Sequence, residues 1–231
     1  MNFRTAVSRA LGKTIYGILP SRWRLPFRYR LAILDESIEP ELRILRQLVS
    51  NTDVAIDIGA NYGLYAYRMS KIFSEVHAFE INDELTNDLA RYNRGNIAIH
   101  HVGLSSKPGE ATLYIPVLDG LPLTGWASLT PGNYPGATGC ITKTVKLETL
   151  DNFRLERVSF IKIDVEGHEL HVLEGAKQTL IDNRPAVLIE IKEPNRASVF
   201  RFFSELNYVE QRLDKLIGTN QSPENHLFVP R

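Results

Sequence analysis

The apolar run Val54-Ala-Ile ends in Asp57 and then breaks at Gly59 and Gly63. A second apolar run, Val76-His-Ala-Phe79, ends in Glu80. Together these two runs constrain the fold more than any other part of the chain. They read as a strand, a tight glycine turn, a helix and a second strand that closes on a carboxylate. Such a unit suits a bound nucleoside, because glycines let the backbone come close and a carboxylate can receive ribose hydroxyls.

The same rhythm extends along the chain. Strands are expected over 54–58, 75–80, 97–102, 160–164 and 186–191, with helices over 62–73, 83–93, 169–182 and 196–206. Strands alternating with helices imply a parallel sheet with helices on both faces and a ligand above the C-terminal strand edges. Asp57, Glu80, Ser105, Asp164 and Glu190 all fall at predicted strand ends. Tyr208 to Leu213 and Leu227-Phe-Val229 read as a closing strand pair, and Ala111 to Ile115 as an edge strand. Between Pro116 and Gly139 the density of Pro and Gly predicts a long loop, with a strand resuming at Ile141. A long loop within a compact domain is expected to be functional or disordered.

Composition sets the remaining bounds. A chain of 231 residues suits one domain with an extension, here 41–231 preceded by 1–40. Formal net charge is zero, which gives no bulk field for nucleic acid. Residues 1–30 nevertheless hold Arg4, Arg9, Lys13, Arg22, Arg24, Arg28 and Arg30 and no acid. Two readings stand for this extension, expected to be helical: a basic amphipathic surface for a membrane or a partner, or a helix packed on the domain with its arginines solvated. Pro20 and Pro26 are expected to interrupt any single long helix there. Glu39-Pro40-Glu41 opens a further helix, with acids where the dipole favours them. Cys140 is the only cysteine and no apolar stretch reaches a membrane span, so a cytoplasmic setting is expected, with a peripheral inner-membrane contact as the variant reading.

Asp57-Ile-Gly-Ala-Asn-Tyr-Gly63, Ala78-Phe-Glu80 and Ile161-Lys-Ile-Asp-Val-Glu-Gly-His-Glu169 resemble the FkbM-type family of S-adenosylmethionine-dependent methyltransferases. Arg184-Pro-Ala-Val-Leu-Ile-Glu190 resembles the family's next strand. The resemblance covers roughly residues 50–230. It implies a Rossmann-like class I methyltransferase fold, an α/β seven-stranded mostly parallel sheet with one antiparallel strand near its end. It also implies O-methylation of a hydroxyl on a sugar, glycan or secondary metabolite.

On that resemblance the cofactor residues are Asp57, Gly59, Ala60, Asn61, Gly63, Glu80, Ile81, Ser105 and Asp164. Asn61 breaks the G-x-G-x-x-G pattern that a pyrophosphate needs, which speaks against a nucleotide-dependent oxidoreductase. A non-catalytic cofactor-binding module is the third class considered. His168 is the first candidate for the base that takes the hydroxyl proton and Glu166 the second, with Asp164 near the active centre. His168 also admits a plain core role as a hydrogen-bond donor. Trp126, Ser128 and Tyr134 in the loop, with Glu190, are the acceptor-binding candidates. Asp164 and Glu190 together could offer oxygen ligands to magnesium, but a metal-free site is the expectation. Adjacent His100 and His101 would point to opposite faces of a strand, which disfavours a shared metal.

Overall fold

The apolar runs pair as strands buried on both faces, as parallel sheets require. The structure is a computed structural model, and it describes residues 18–92, 95–132, 134–218 and 225–231. In chain order the strands are β1 (Val54–Ile58), β2 (Glu75–Phe79), β3 (Ile97–His100), β4 (Gly103–Leu104), β5 (Gly109–Leu118), β6 (Leu121–Pro122), β7 (Gly139–Glu148), β8 (Val158–Ile163), β9 (Ala186–Glu190), β10 (Tyr208–Gln211) and β11 (Asn225–Pro230). The α-helices are α1 (Ser21–Leu34), α2 (Pro40–Ile44), α3 (Leu64–Met69), α4 (Asn87–Tyr92), α5 (Glu169–Glu174), α6 (Lys177–Asn183), α7 (Arg196–Glu205) and α8 (Leu213–Ile217).

Seven strands form one sheet in the order β3-β2-β1-β8-β9-β11-β10. β1 pairs in parallel with both β2 and β8, and only β11 runs antiparallel to its neighbours. The order reverses at β1 and β8, so the crevice above these two strands is where a ligand is expected. Strand alternation divides the core into two layers. Ala55 and Phe160 pack with Leu25, Leu42 and Met69 on one face. Ile56, Ile58, Ile161 and Ile163 pack with Val172, Leu173 and Phe203 on the other.

α1 runs through Pro26, contrary to the expected break. The ring removes one N–H from the ladder, but Leu25, Tyr29 and Ala32 are buried on the core, and that burial offsets the lost bond. The described part of the basic extension is thus a packed helix, while Arg4, Arg9 and Lys13 lie outside the described residues. No helix of the described residues is long and apolar enough to cross a membrane.

The breaker-rich segment 116–139 is not a single long loop. β5 continues to Leu118 and pairs antiparallel with β7 over Gly109–Val117 against Leu147–Gly139. With β4 and β6 this makes a second, four-stranded sheet. Leu113, Ile115 and Val145 of this sheet form a small apolar cluster with Ile81, Ala127 and Leu129. The strand expected over 97–102 ends at His100, and the chain then passes through β4 into this second sheet.

The helix expected over 169–182 is two helices that meet at Gly175 and Ala176. A Cβ on Gly175 would stand 2.0 Å from the Ser105 carbonyl oxygen. The second helix gets its own N-terminal cap from Asp151, whose carboxylate accepts the N–H groups of Gln178 and Thr179 at 3.0 and 2.8 Å. This close approach fixes Ser105 against the start of the helix pair. Gly175→Ala is therefore expected to destabilise the protein by about 1–3 kcal/mol, as overpacking against backbone does. A urea titration in which the midpoint falls at constant slope checks this.

Candidate active site

A cleft open to solvent lies above the C-terminal ends of β1, β2 and β8. Glu80, Asn61, Asp164, Glu166 and His168 meet in its wall with the apolar side chains Ile81, Leu85 and Leu113.

Glu80 is held by backbone. One carboxylate oxygen accepts Asn61 N–H and the other accepts Asn82 N–H, both at 2.7 Å. Burial pushes its pKa up, while the N–H groups of Asn82, Asn61 and Ile81 pull the other way. Each oxygen keeps a lone pair for a further donor. Asn61 takes a left-handed backbone and donates to the Gly125 carbonyl at 3.3 Å, which ties the glycine turn to the second sheet. Its Oδ1 and the Nδ2 of Asn82 are buried without a partner among the described residues. One is an acceptor and the other a donor, and both flank Glu80. An uncompensated buried polar atom is costly, so the site fits a ligand that brings its own hydroxyl and ring-nitrogen groups.

Gly59 and Gly63 serve contacts within the protein. Both have positive φ. A Cβ on Gly59 would meet the Asp164 carbonyl oxygen at 1.8 Å, and one on Gly63 would meet Leu89 at 3.0 Å. Ala60 N–H and Gly59 N–H both bond the Phe79 carbonyl at 3.0 Å.

Asp57 is not in the cleft lining. Strand alternation turns it with Ala55 toward the helices, where Oδ2 accepts the Ala66 N–H at 2.8 Å in the first turn of α3. Burial raises its pKa to about 7, opposed by Lys162 and the Ala66 N–H and assisted by Asp164 and Glu80. Asp164 does line the cleft. Burial raises it to about 6, with Lys162 opposing and Glu190, Glu166 and Glu39 adding to the rise.

The 164–169 turn is clamped by residues to which the sequence assigned no role. Glu169 accepts Gly167 N–H at 2.7 Å, and Asn195 bridges Glu169 and the Gly167 carbonyl at 2.5 and 2.9 Å. His168 bonds Ser105 through Nε2 at 2.9 Å and stacks on His171. Burial, with His171 beside it, lowers its pKa to about 4, so the ring is neutral at physiological pH and a weak base. Ser105 touches the cleft only through His168. The carboxylates of Asp164, Glu166 and Glu190 lie within 4.8 Å of one another. The Lys192 ammonium sits among them, 3.2 Å from Glu166 and 2.5 Å from Glu190, so a side chain of the protein meets that negative charge.

Of the acceptor-binding candidates, Ser128 lines the cleft and donates to the Glu166 carbonyl at 2.8 Å. Trp126 and Tyr134 form an edge-on pair, 5.3 Å apart, outside the lining, with Trp126 next in chain to Gly125, which belongs to it. Glu190 also lies outside it. His100 bonds His77 on the neighbouring strand at 3.0 Å.

A family model described as "Methyltransferase FkbM domain" matches residues 57–215. Hexuronic acid methyltransferase AglP of Haloferax volcanii is 31% identical over 146 residues, 60% of this chain and 56% of that protein. The chain thus spans just over half the length of the curated relative it matches. The crystal structure of a methyltransferase FkbM from Methylobacillus flagellatus KT superposes with a TM-score of 0.52 at 15% identity, over 98% of this chain and 59% of that one. At that identity the likeness concerns the fold.

Asp57 and Asp164 titrate above the ordinary aspartate value of 3.8. Their neutral forms therefore favour the folded state; that stability is complete below about pH 4 and is lost as pH rises through 6 to 7. Asp57→Asn is expected to flatten the fall in melting temperature between pH 5 and 8, as differential scanning fluorimetry would show. An equally steep fall would remove Asp57 as its source.

Proposed function

This chain belongs to the FkbM methyltransferase family, and on that premise we propose that it transfers the methyl group of S-adenosylmethionine to a sugar hydroxyl, with a uronic-acid sugar as the acceptor class. The cofactor supplies a methyl group on a positively charged sulfur. The observation that carries the reading is Glu80, a buried carboxylate fixed by two backbone N–H groups and flanked by the orphaned Asn61 Oδ1 and Asn82 Nδ2. Two neighbouring hydroxyls of a ribose would occupy the remaining lone pairs of Glu80, and the two asparagines would meet further polar atoms of the nucleoside. Ile81, Leu85 and Leu113 offer an apolar wall for a flat base. The acidic rim of Glu80, Asp164 and Glu166 repels a pyrophosphate and attracts a cation, which favours a sulfonium nucleoside over a dinucleotide.

The acceptor hydroxyl must lie in line with the methyl group and lose its proton as the new bond forms. Asp164 is the base best matched to neutral pH, because at about 6 it is mostly ionised and still accepts a proton readily. His168, neutral and tied to Ser105, orients the hydroxyl by a hydrogen bond. Ser128 holds the Glu166 carbonyl and so the shape of the turn. Trp126 and Tyr134 present an aromatic face beside Gly125 for the sugar ring to stack on. The acceptor class draws on the hexuronic acid methyltransferase that shares 31% of aligned residues.

Glu80→Gln is expected to weaken S-adenosylhomocysteine binding by roughly tenfold or more, since a neutral amide offers one acceptor where the carboxylate offers two. Isothermal titration calorimetry reads this directly, and unchanged affinity would sink the ribose assignment. Asp164→Asn is expected to lower kcat by roughly 10²–10⁴-fold. His168→Ala should lower it by only about tenfold, as loss of one orienting hydrogen bond does. In the unsubstituted enzyme kcat/KM for a uronic-acid acceptor should rise with pH through about 6. Transfer of a labelled methyl group gives both rates, and a profile that rises only near 4 would return the base to His168.

A further inference from the structure

Lys162 is buried in the middle of the parallel sheet, in a strand whose other residues are apolar or small. It is the direct cross-strand neighbour of Asp57 on β1 and shares that face of the sheet. Its ammonium donates to Asn225 Oδ1 at 2.8 Å and lies 3.8 Å from Asp164 Oδ2. It also lies 5.2 Å from the centre of the Tyr65 ring. Behind it stands the acidic turn before α2. Asn225 donates to Glu39 at 3.1 Å and to Glu41 at 3.4 Å, and the Tyr65 hydroxyl donates to Glu39 at 2.7 Å. Glu41 is buried, and its second carboxylate oxygen has no partner among the described residues.

We propose that Lys162 is a positioning residue for the reaction: its ammonium, clamped by Asn225 and backed by Glu39 and Glu41, keeps the Asp164 carboxylate anionic and fixed at the cleft wall. The inference rests on reading Asp164 as the base. The physical case is one of charge balance. An isolated ammonium cannot stay buried, nor can several carboxylates, unless each is paired and hydrogen-bonded. Asp164 faces Lys162 on its own strand, Glu190 at the end of β9, Glu166 in the following turn and Glu39 in the turn before α2. Lys162 alone of these favours the ionised form. Lys192 is occupied by Glu190 and Glu166. Lys162 in turn faces Asp57, Asp164 and Glu41. Glu39 and Glu41 precede the segment matched by the family model, yet they share the hydrogen-bonded cluster that ends on Lys162, which is ion-paired with Asp164.

The test uses two substitutions that change the charge around Asp164 in opposite senses. Lys162→Met removes the attraction, and Glu39→Gln removes a repulsion. The Asp164 carboxyl is followed by 13C NMR across pH 4 to 9 in the cofactor-free protein, its signal assigned by its loss in Asp164→Asn. Lys162→Met is expected to move the Asp164 midpoint up by about one pH unit or more, and Glu39→Gln to move it down by a fraction of a unit. Lys162→Arg should restore the original midpoint. The kcat/KM profile should move with the carboxyl in each variant. A purely structural lysine would lower the melting temperature and leave both midpoints in place, and that outcome overturns the proposal. If Lys162→Met does not fold, the downward shift in Glu39→Gln decides alone, and its absence is equally fatal. If the NMR midpoints move as expected but no methyl transfer occurs, the charge relation stands and the reading of Asp164 as base falls.

Discussion

The tips of β1 and β8 touch where Gly59 has no side chain. The Asp164 carbonyl fills the space a Cβ would take, 1.8 Å away, while the Asp164 N–H bonds the Ile58 carbonyl at 2.9 Å. This contact sets the width of the crevice. It fixes the height of Asp164 beside the glycine turn and holds Asn61 where its N–H reaches Glu80. Any side chain at 59 would push the two strand ends apart, and the carboxylates above them would lose their common wall. The glycine turn is thus first a device for packing two strand ends, and the ligand site is its consequence.

The contact draws much negative charge into a small volume. Asp57, Glu80, Asp164, Glu166, Glu190, Glu39 and Glu41 all lie around the ends of the central strands. The structure handles them by three different means. Glu80 is stabilised by backbone N–H groups, and Glu166 and Glu190 by the Lys192 ammonium. Asp57, Asp164 and Glu41 gather about Lys162. Those with backbone or surface partners face fixed dipoles or a half-exposed cation. Of the group around Lys162, Asp57 and Glu41 are buried while Asp164 reaches the cleft.

Much of this was legible in the sequence, for reasons that differ by residue. The place of Glu80 in the cleft wall could be read because it ends an apolar run that follows a glycine turn. The sheet could be read because buried parallel strands are continuous apolar runs. The strand-end position of Asp57 reads as the rim, whereas alternation with Ala55 turns its side chain to the α3 side. Lys162 passed unnoticed for a related reason. Within Phe160-Ile-Lys-Ile a lysine reads as the exposed phase of a strand, and only its pairing with Asp57 shows that this face is covered. Glu41 looked like an acid placed for a helix dipole, since nothing local shows that Asn225 lies over it. The second sheet was hidden because β5 pairs with β7 across a stretch dense in proline and glycine. Those residues shape the turns between the strands without preventing the pairing.

The second sheet also explains how a shared fold could acquire its own acceptor. One side of the cleft is built from β1, β2 and the turns after them, which belong to the central sheet. Gly125, Ala127, Ser128 and Leu129 come from the inserted hairpin. Among the described residues, Asn61 to Gly125, Tyr62 to Thr124 and Ser128 to Glu166 are the polar contacts that tie this segment to the central sheet and its turns. A wall joined so sparingly can change its length and aromatic content without disturbing the strand tips. Exchange of the hairpin should therefore alter which hydroxyl is presented while Glu80 and Asp164 keep their places. On the proposed function, specificity and chemistry would be separable because different sheets carry them.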